Sequence, residues 1–152
     1  MSNHVIINPI SYIRGSVYLP GSKSISNRAI LLSAQAQQQT QLINCPKNDD
    51  IKVMLQALSC CKIKYKYHDK NQTCSIQGSN NALKSFSKTI LLQNSGTAMR
   101  FLTAALSIRK NNVVLMGNNR MHQRPIGPLV DALRQGGAKI DYLYKKNFPP
   151  LK

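Results

Sequence analysis

The apolar residues of this chain follow a helical spacing in four separate stretches. In each of them apolar residues recur every three or four positions, which places them on one face of a helix. The predicted helices run from Ser24 to about Gln37, from Asp49 to at least Leu58, from Thr97 to Ile108 and from Pro128 to Gln135. Gly136 and Gly137 follow the last of these helices, and they predict a left-handed cap at its end.

Short apolar runs between these helices predict strands. The runs are Val5–Ile7, Gly15–Leu19, Gln41–Cys45, Ile63–Tyr67, Cys74–Gln77, Val113–Met116 and Ala138–Leu143. The polar turn at 69–71 joins two of them into a strand pair, and Pro20-Gly21 interrupts the chain after the second run. Helices that alternate with strands predict an α/β (α+β) fold.

The two halves of the chain follow the same order. Laying the second half over the first brings Arg28 onto Arg100 and Ala57-Leu58 onto Ala132-Leu133. This match predicts two β-α-β-α-β units, over about 21–85 and 86–152, related by duplication.

Composition limits the class of protein. The 152 residues are 42% apolar, which suits one domain or a piece of a larger one. No apolar run reaches the roughly 18 residues of a membrane span, and the first residues lack the features of a signal peptide. We therefore expect a soluble cytoplasmic protein without a membrane partner. The four cysteines form no C-x-x-C pair, so we expect free thiols and no metal site.

The net charge of +16 raises the possibility of a basic nucleic-acid-binding module. The distribution of the charge argues against nucleic acid, because the lysines are scattered or alternate, as at Lys62, Lys64 and Lys66. The arginines Arg28, Arg100, Arg120 and Arg124 instead lie in three motif segments. The chain has five aspartates and no glutamate, so candidates for carboxylate acid–base catalysis are few.

The first motif segment, 19–28, reads L-P-G-S-K-S-I-S-N-R. Gly21 lets the backbone approach a ligand, and the serines cap the following helix or donate to an anion. Lys23 and Arg28 add positive charge at the helix start, where the helix dipole also favours an anion. The segment lacks the G-x-x-x-x-G-K-[ST] pattern of a Walker-type nucleotide loop. Taken alone, it fits an anion site or a capped surface helix with two solvated cations.

The second and third segments repeat this chemistry. The second reads N-S-G-T-A-M-R over 94–100, where Gly96 leaves room for an anion near a backbone N–H, Thr97 can cap, and Arg100 returns to the face of Gly96. The third, N-N-R-M-H-Q-R-P-I-G over 118–127, holds Arg124 extended before a proline. Three cationic loops that each precede a helix predict one shared cleft for ligands with more than one anionic group.

The three segments resemble those of the 5-enolpyruvylshikimate-3-phosphate synthase (3-phosphoshikimate 1-carboxyvinyltransferase) family. The similarity continues through Asp49-Asp50, Leu129–Lys139 and N-F-P-P-L at 147–151, and so covers essentially the whole chain. Enzymes of this family transfer the enolpyruvyl group of phosphoenolpyruvate to the 5-hydroxyl of shikimate 3-phosphate and release phosphate. The reaction belongs to the shikimate pathway of aromatic amino acid biosynthesis and uses no metal or cofactor.

The resemblance implies roles for individual residues. Lys23 contacts both substrates, Ser24 and Arg28 bind shikimate 3-phosphate, and Gly96 and Arg124 bind phosphoenolpyruvate. The supporting residues are Asn94, Thr97, Arg100 and Arg120. No residue of this chain is assigned as a catalytic acid or base, because the family's carboxylates for proton transfer come from a second domain.

The resemblance also implies a division of the chain. The family fold has two domains of three β-α-β-α-β-β units each, is monomeric, and binds substrates between the domains. Residues 1–20 then supply initial strands of the second domain, and 21–152 form an incomplete N-terminal domain with two units. We expect such a chain to be truncated and inactive alone.

The chain departs from the family pattern at Lys62, Gln93 and Ser95, and His122-Gln123 replaces a more usual charged pair. Gln93 and Ser95 replace a glycine and an alanine, and are expected to crowd the loop before Gly96. Lys62 stands where a glycine ends the helix, which predicts a strained cap. The alternatives to this assignment are a non-catalytic anion-binding remnant and a UDP-N-acetylglucosamine enolpyruvyl transferase, although the first loop of the latter family does not read S-K-S-x-S-N-R.

Overall fold

A computed structural model describes residues 4–152 of the chain. Its four helices are α1 (Lys23–Gln35), α2 (Asp49–Ser59), α3 (Gly96–Ser107) and α4 (Gly127–Gln135). Its five strands are β1 (Gln39–Leu42), β2 (Tyr65–His68), β3 (Thr73–Gln77), β4 (Thr89–Leu91) and β5 (Val114–Met116). Short 3₁₀ turns occupy 69–71 and 121–123. None of the helices in this described part is long and apolar enough to cross a membrane.

The four predicted helices are confirmed, and three of them begin at a polar cap. The side chains of Ser22, Asn48 and Ser95 each accept a hydrogen bond from the backbone N–H three residues on. Such caps satisfy N–H groups that have no partner inside the helix. Counted from the caps Ser22 and Ser95, Arg28 aligns with Phe101. The predicted overlay of Arg28 on Arg100 is therefore wrong by one residue, a rotation of about 100° around a helix.

The cap at the end of α4 is confirmed. Gly137 has φ +91°, and its N–H donates to the carbonyl of Arg134 over 2.9 Å. The next N–H, of Ala138, donates to Leu133 over 3.0 Å, which completes a Schellman motif. Lys62 holds the corresponding position after α2 with φ 59°. The predicted strain at Lys62 is thus confirmed in the backbone.

Two small sheets pack against the helices. β3 lies between β1 and β2 and is antiparallel to both, so that Ile76 pairs with Thr40 on one side and Tyr65 on the other. β4 and β5 form a parallel pair, with Ile90 opposite Leu115. The predicted pair across 69–71 and the strand at 113–116 are confirmed. β4 was not predicted, and β1 begins two residues earlier than expected and ends before Asn44, where φ is 55°.

The core lies between the inner faces of the helices and the two sheets. Ile30 of α1, Met54 and Leu58 of α2, and Met99 and Leu102 of α3 are fully buried. α1 packs against both α2 and α3, and α3 also packs against α4. This packing brings the first turns of α1, α2 and α3 close together, which positions the site described below.

The predicted strands Val5–Ile7 and Gly15–Leu19 are wrong for this structure. Neither segment is a strand, and Val5, Ile6 and Ile7 are 85–87% exposed. A strand exists only when its backbone groups pair with a neighbour. Within residues 4–152 no strand pairs with either segment.

The predicted strand Ala138–Leu143 forms only in its second half, where Asp141 exchanges two backbone hydrogen bonds with Lys152 and Tyr142 forms an antiparallel bridge with Leu151. The guanidinium of Arg134 donates to the carbonyl of Ile140, through Nε over 3.1 Å and through Nη2 over 2.5 Å. That carbonyl is therefore committed to a side chain rather than to a ladder. The described elements run α-β-α-β-β over 21–85 and β-α-β-α over 86–152, so neither half shows the complete predicted β-α-β-α-β order.

Candidate anion-binding site

The first turns of three helices surround one open cleft of about 800 Å³. Lys23 is the first residue of α1, Asp49 and Asp50 begin α2, and Gly96 is the first residue of α3. Each helix directs N–H groups and the positive end of its dipole toward its start. Three such ends at one cleft favour negatively charged groups there.

Lys23 forms a short ion pair with a carboxylate of the cleft. Its Nζ lies 2.6 Å from Oδ2 of Asp50, across the junction between α1 and α2. The lysine side chain is 54% exposed, whereas the aspartate side chain is only 22% exposed. The carboxylate is therefore the fixed partner, and the ammonium on its flexible stem is the mobile one.

The surroundings of Asp50 favour its charged form. Burial by itself would raise the pKa of this carboxyl, but hydrogen bonds from the side chains of Lys23 and Ser95 and the positive charges of Lys23 and Arg124 oppose it. The net result is a pKa below the ordinary value of 3.8. Groups from all three motif segments thus act on one carboxylate.

Gly96 and Arg124 are in direct contact across the cleft. A Cβ atom built on Gly96 would lie 2.6 Å from Nη1 and 2.7 Å from Nη2 of Arg124. The guanidinium therefore packs onto the glycine Cα, in the space that any other residue would fill. That Gly96 leaves room for an anion stays a prediction, and in the structure the space beside its Cα is filled by a cation of the chain itself.

The loop that carries Arg124 is fixed at several points. Nη2 of Arg100 donates to the carbonyl of Pro125 over 2.8 Å. The Oδ1 atom of Asn118 accepts from the N–H of Met121, and the N–H of Asn118 donates to the carbonyl of Gln93 over 2.9 Å. The Arg100 bond links the second segment to the third, and Arg124 forms no ion pair with any described residue.

The two departures before Gly96 take defined places in this arrangement. Gln93 has φ 49°, the left-handed backbone that glycine adopts more readily. Ser95 is 2% exposed and caps α3 through its hydroxyl. The expected crowding is therefore expressed as backbone strain at Gln93, while the helix still begins at Gly96.

Arg28 lies outside the cleft, against α3. Its Cζ is 5.4 Å from the centroid of the Phe101 ring, and its Nη1 donates to the carbonyl of Ser24 over 3.4 Å. Both partners are uncharged, so neither of them neutralises the positive charge of the guanidinium. Asn27 precedes it and is completely buried, with its amide nitrogen bonded to the carbonyl of Lys23 over 3.1 Å.

The structure brings together some of the predicted site residues and not others. The cleft is lined by Lys23, Asn94, Gly96, Thr97 and Arg124. Four further predicted residues do not line it: Ser24, Arg28, Arg100 and Arg120. The sequence analysis missed Asp50 and Asn118, which both line the cleft. The available signals for Asp50 were its position at a helix start and the family resemblance that continues through Asp49-Asp50.

Other chemistry is absent from the described residues. Within 4–152 no three His, Cys, Asp or Glu side chains are grouped closely enough to hold a metal ion. The four cysteines are free, and three of them are buried. Burial raises the pKa of the Cys61 and Cys74 thiols to about 11. These thiols are protonated near neutral pH and are poor nucleophiles.

Comparisons with known proteins agree with the motif segments. The sequence pattern of the family described as EPSP synthase (3-phosphoshikimate 1-carboxyvinyltransferase) matches residues 7–152. The chain is 52% identical over 148 residues to the 3-phosphoshikimate 1-carboxyvinyltransferase of Photorhabdus laumondii, covering 97% of this chain and 35% of that protein. It is 50% identical over 153 residues to the protein of the same name from Hamiltonella defensa, covering 100% of this chain and 36% of the relative.

A solved structure gives the same result for the fold. The EPSP synthase from Acinetobacter baumannii superposes with a TM-score of 0.82 at 31% identity, over 90% of this chain and 31% of the other. The chain therefore spans about a third of the length of the curated relatives that it matches.

Proposed function

The chain belongs to the EPSP synthase family, and we propose that it binds phosphoenolpyruvate and shikimate 3-phosphate as part of a 3-phosphoshikimate 1-carboxyvinyltransferase. The observation that carries this proposal is the convergence of Lys23, Gly96 and Arg124 on one cleft from three separate segments. Both substrates carry a phosphate and a carboxylate, so their recognition requires several cations in a fixed arrangement.

In this proposal Lys23 and Arg124 bind the anionic groups of phosphoenolpyruvate. The guanidinium of Arg124 offers a planar pair of donors suited to a carboxylate or phosphate, and Lys23 adds a mobile point charge. Gly96 permits Arg124 to lie close to the start of α3, where backbone N–H groups add further donors. Asn94 and Thr97 line the same cleft and supply polar groups beside it.

Ser24 and Arg28 are proposed to bind shikimate 3-phosphate. They lie on the exposed side of α1, one turn apart, next to the turn that carries Lys23. Arg28 is held by a carbonyl and a ring rather than by a carboxylate. A bound phosphate can therefore interact with the full positive charge of the guanidinium. Lys23 then stands between the two sets of ligand groups and can contact both.

We assign binding, and no proton transfer, to this chain. The transfer requires a proton to reach the methylene carbon of phosphoenolpyruvate and another to leave the attacking hydroxyl, and the subsequent elimination of phosphate removes a proton from the methyl group. Asp50 is a weak base because its pKa is lowered, and its carboxylate is engaged by Lys23. Relatives about three times as long provide room for acid and base groups beyond those described here.

The exposed segment 4–20 supports a division of the family protein into two domains. Its apolar side chains, such as Ile7, Ile13 and Tyr18, are 79–97% exposed, although their composition favours strands. We propose that residues 1–20 complete a sheet of a second domain and that 21–152 belong to the first, with repeat units over about 21–85 and 86–152.

Titration calorimetry with each substrate tests the proposed function. Replacement of Lys23 or Arg124 by methionine should weaken phosphoenolpyruvate binding about 10- to 100-fold, the range for a lost charge-assisted hydrogen bond. Lys110→Met, a lysine outside this cleft, should leave the affinity unchanged. Equal affinities for all four proteins would refute the assignment. With both substrates present, phosphate release should stay below the common range of about 1–1000 per second.

A further inference from the structure

We propose that Asp50 is a displaceable counter-ion, which holds Lys23 in the cleft and gives it up to the anionic group of an incoming ligand. The inference rests on the proposed function, because it takes the cleft to be an anion-binding site. It adds a role that the motif segments do not contain, for a residue that is supplied by α2.

The charge of the cleft is the first observation. The chain carries 21 basic residues and only five acidic ones, yet two of those five, Asp49 and Asp50, line the cleft. The basic lining residues are Lys23, Lys52 and Arg124. Two carboxylates therefore offset most of the charge of three cations in the cleft, where the cations would otherwise repel one another.

The geometry of the ion pair is the second observation. Asp50 belongs to the first turn of a helix whose apolar side is buried in the core, so its backbone is fixed. Lys23 carries the charge on a flexible stem, and its side chain is more than half exposed. A ligand in the cleft can therefore reach the ammonium, and the ammonium can turn from Asp50 to the ligand without any backbone movement.

The pair should lower the affinity of the cleft for anions. An entering anion must compete with Asp50 for Lys23, and it is also repelled by the carboxylate. Removal of the negative charge eliminates both effects. If Asp50 acted only through the helix dipole, its replacement would destabilise the fold and would not tighten anion binding.

Asp49 separates these two roles. It lies beside Asp50 in the first turn of α2 and lines the same cleft, but it forms no ion pair within 4.0 Å among the described residues. Asp49→Asn removes the same charge from the same turn of the same helix. Any difference between the two variants therefore reports the pair with Lys23.

Binding of inorganic phosphate to the whole chain, measured by calorimetry at about 0.1 M salt, tests the proposal. At that salt concentration the Debye length is about 10 Å, so distant charges are partly screened. Asp50→Asn should bind phosphate about three- to tenfold more tightly than the wild type, Asp49→Asn less than twofold more tightly, and Asp50→Glu like the wild type. In a Lys23→Met background, the gain from Asp50→Asn should shrink to that of Asp49→Asn.

Equal effects of Asp50→Asn and Asp49→Asn, weaker binding by Asp50→Asn, or no phosphate binding by any of these proteins would overturn the proposal. A second measurement needs no variant. The carboxyl carbon of Asp50, followed by NMR, should titrate at higher pH in saturating sulfate, because the dianion draws Lys23 away. An unchanged titration would contradict the proposal.

The outcomes also distinguish this inference from the proposed function. Wild-type binding of shikimate 3-phosphate and phosphoenolpyruvate, without tighter phosphate binding by Asp50→Asn, would refute only the counter-ion. Tighter phosphate binding by Asp50→Asn, without wild-type binding of either substrate, would refute only the proposed substrates.

Discussion

Lys23 and Arg28 project from the same helix but are held in contrasting ways. The cleft side of α1 pairs Lys23 with the carboxylate of Asp50, whereas the α3 side holds Arg28 against the ring of Phe101 and a backbone carbonyl. A carboxylate reduces the charge that a cation offers to a ligand, while a ring and a carbonyl orient the cation and leave its charge intact. Anion binding on the cleft side therefore depends on competition between Asp50 and the ligand for Lys23. Anion binding on the α3 side depends on the orientation of Arg28.

The largest effect should follow from a change on the cleft side that moves a cation without altering any charge. In Gly96→Ala the added methyl group would lie only 2.6 Å from Nη1 of Arg124, so the guanidinium must shift away from the start of α3. We expect phosphoenolpyruvate affinity to fall tenfold or more, as for a lost charge-assisted bond of about 1.5–3 kcal/mol. Titration calorimetry measures this loss.

Gly136→Ala is the matched control, because a Cβ atom there would meet only the carbonyl of Leu133 at 3.3 Å, far from the cleft residues. Its affinity should equal that of the wild type. If Gly96→Ala retains wild-type affinity, the contact between Gly96 and Arg124 does not position the arginine for binding.

A smaller effect should follow from a change on the α3 side. Phe101→Ala removes the ring that orients the guanidinium of Arg28, so that the side chain can adopt other rotamers. Phe101→Tyr keeps an aromatic face. A cation–π contact at an exposed site contributes about 0.5–1 kcal/mol. We therefore expect Phe101→Ala to weaken shikimate 3-phosphate binding about two- to fivefold, and Phe101→Tyr to restore it.

Phe86 offers a control for this change, since Lys62 lies 4.0 Å and Lys84 5.7 Å from its ring centroid, outside the site. Phe86→Ala should not alter the affinity. A loss of equal size in Phe86→Ala and Phe101→Ala would show that the effect is general and not specific to Arg28.

The smallest effect should be the pH dependence of the free energy of unfolding that the Asp50 carboxylate contributes on the cleft side. Burial tends to raise the pKa of Asp50, but Lys23, Ser95 and Arg124 together lower it below 3.8, so the folded state favours the ionised form. The Asp50 carboxylate therefore stabilises the folded state at pH values above its pKa in the unfolded chain. This stabilisation is lost as the pH falls through its pKa in the folded state. In urea unfolding, Asp50→Asn should cost about 0.2–1 kcal/mol at pH 6 and nothing in strong acid.

A constant difference between Asp50→Asn and the wild type from pH 6 to strong acid would show that the carboxylate does not contribute through its charge. The α3 side has no carboxylate against Arg28 among the described contacts, so the amide NMR signals around Phe101 should stay unchanged over the same pH range.

The sequence predicted the helices better than the strands, for a physical reason. A helix is fixed by its own residues, so the serines before α1 and the glycine pair at 136–137 were useful signals, although α3 is capped by Ser95 and not by the predicted Thr97. A strand depends on a partner elsewhere in the chain. The runs at 5–7 and 15–19 have strand composition and no partner among the described residues, whereas β4, only three residues long, pairs with β5.

The site was predicted in part for the same reason. Lys23, Gly96 and Arg124 lie in local motifs that are visible in the sequence, and the structure places all three in one cleft. Asp50 reaches that cleft only through the packing of α2 against α1, which no local pattern encodes. The neutral support of Arg28 by Phe101 likewise depends on the packing of α1 against α3.

The exposure of residues 4–20 has a consequence for how the protein behaves in solution. Exposed apolar side chains with strand-forming composition, such as Val5, Ile6 and Val17, favour association between copies. The net charge of +16 opposes that association by repulsion. Because added salt screens the repulsion and leaves the apolar attraction in place, the colloidal stability of concentrated solutions should fall as ionic strength rises.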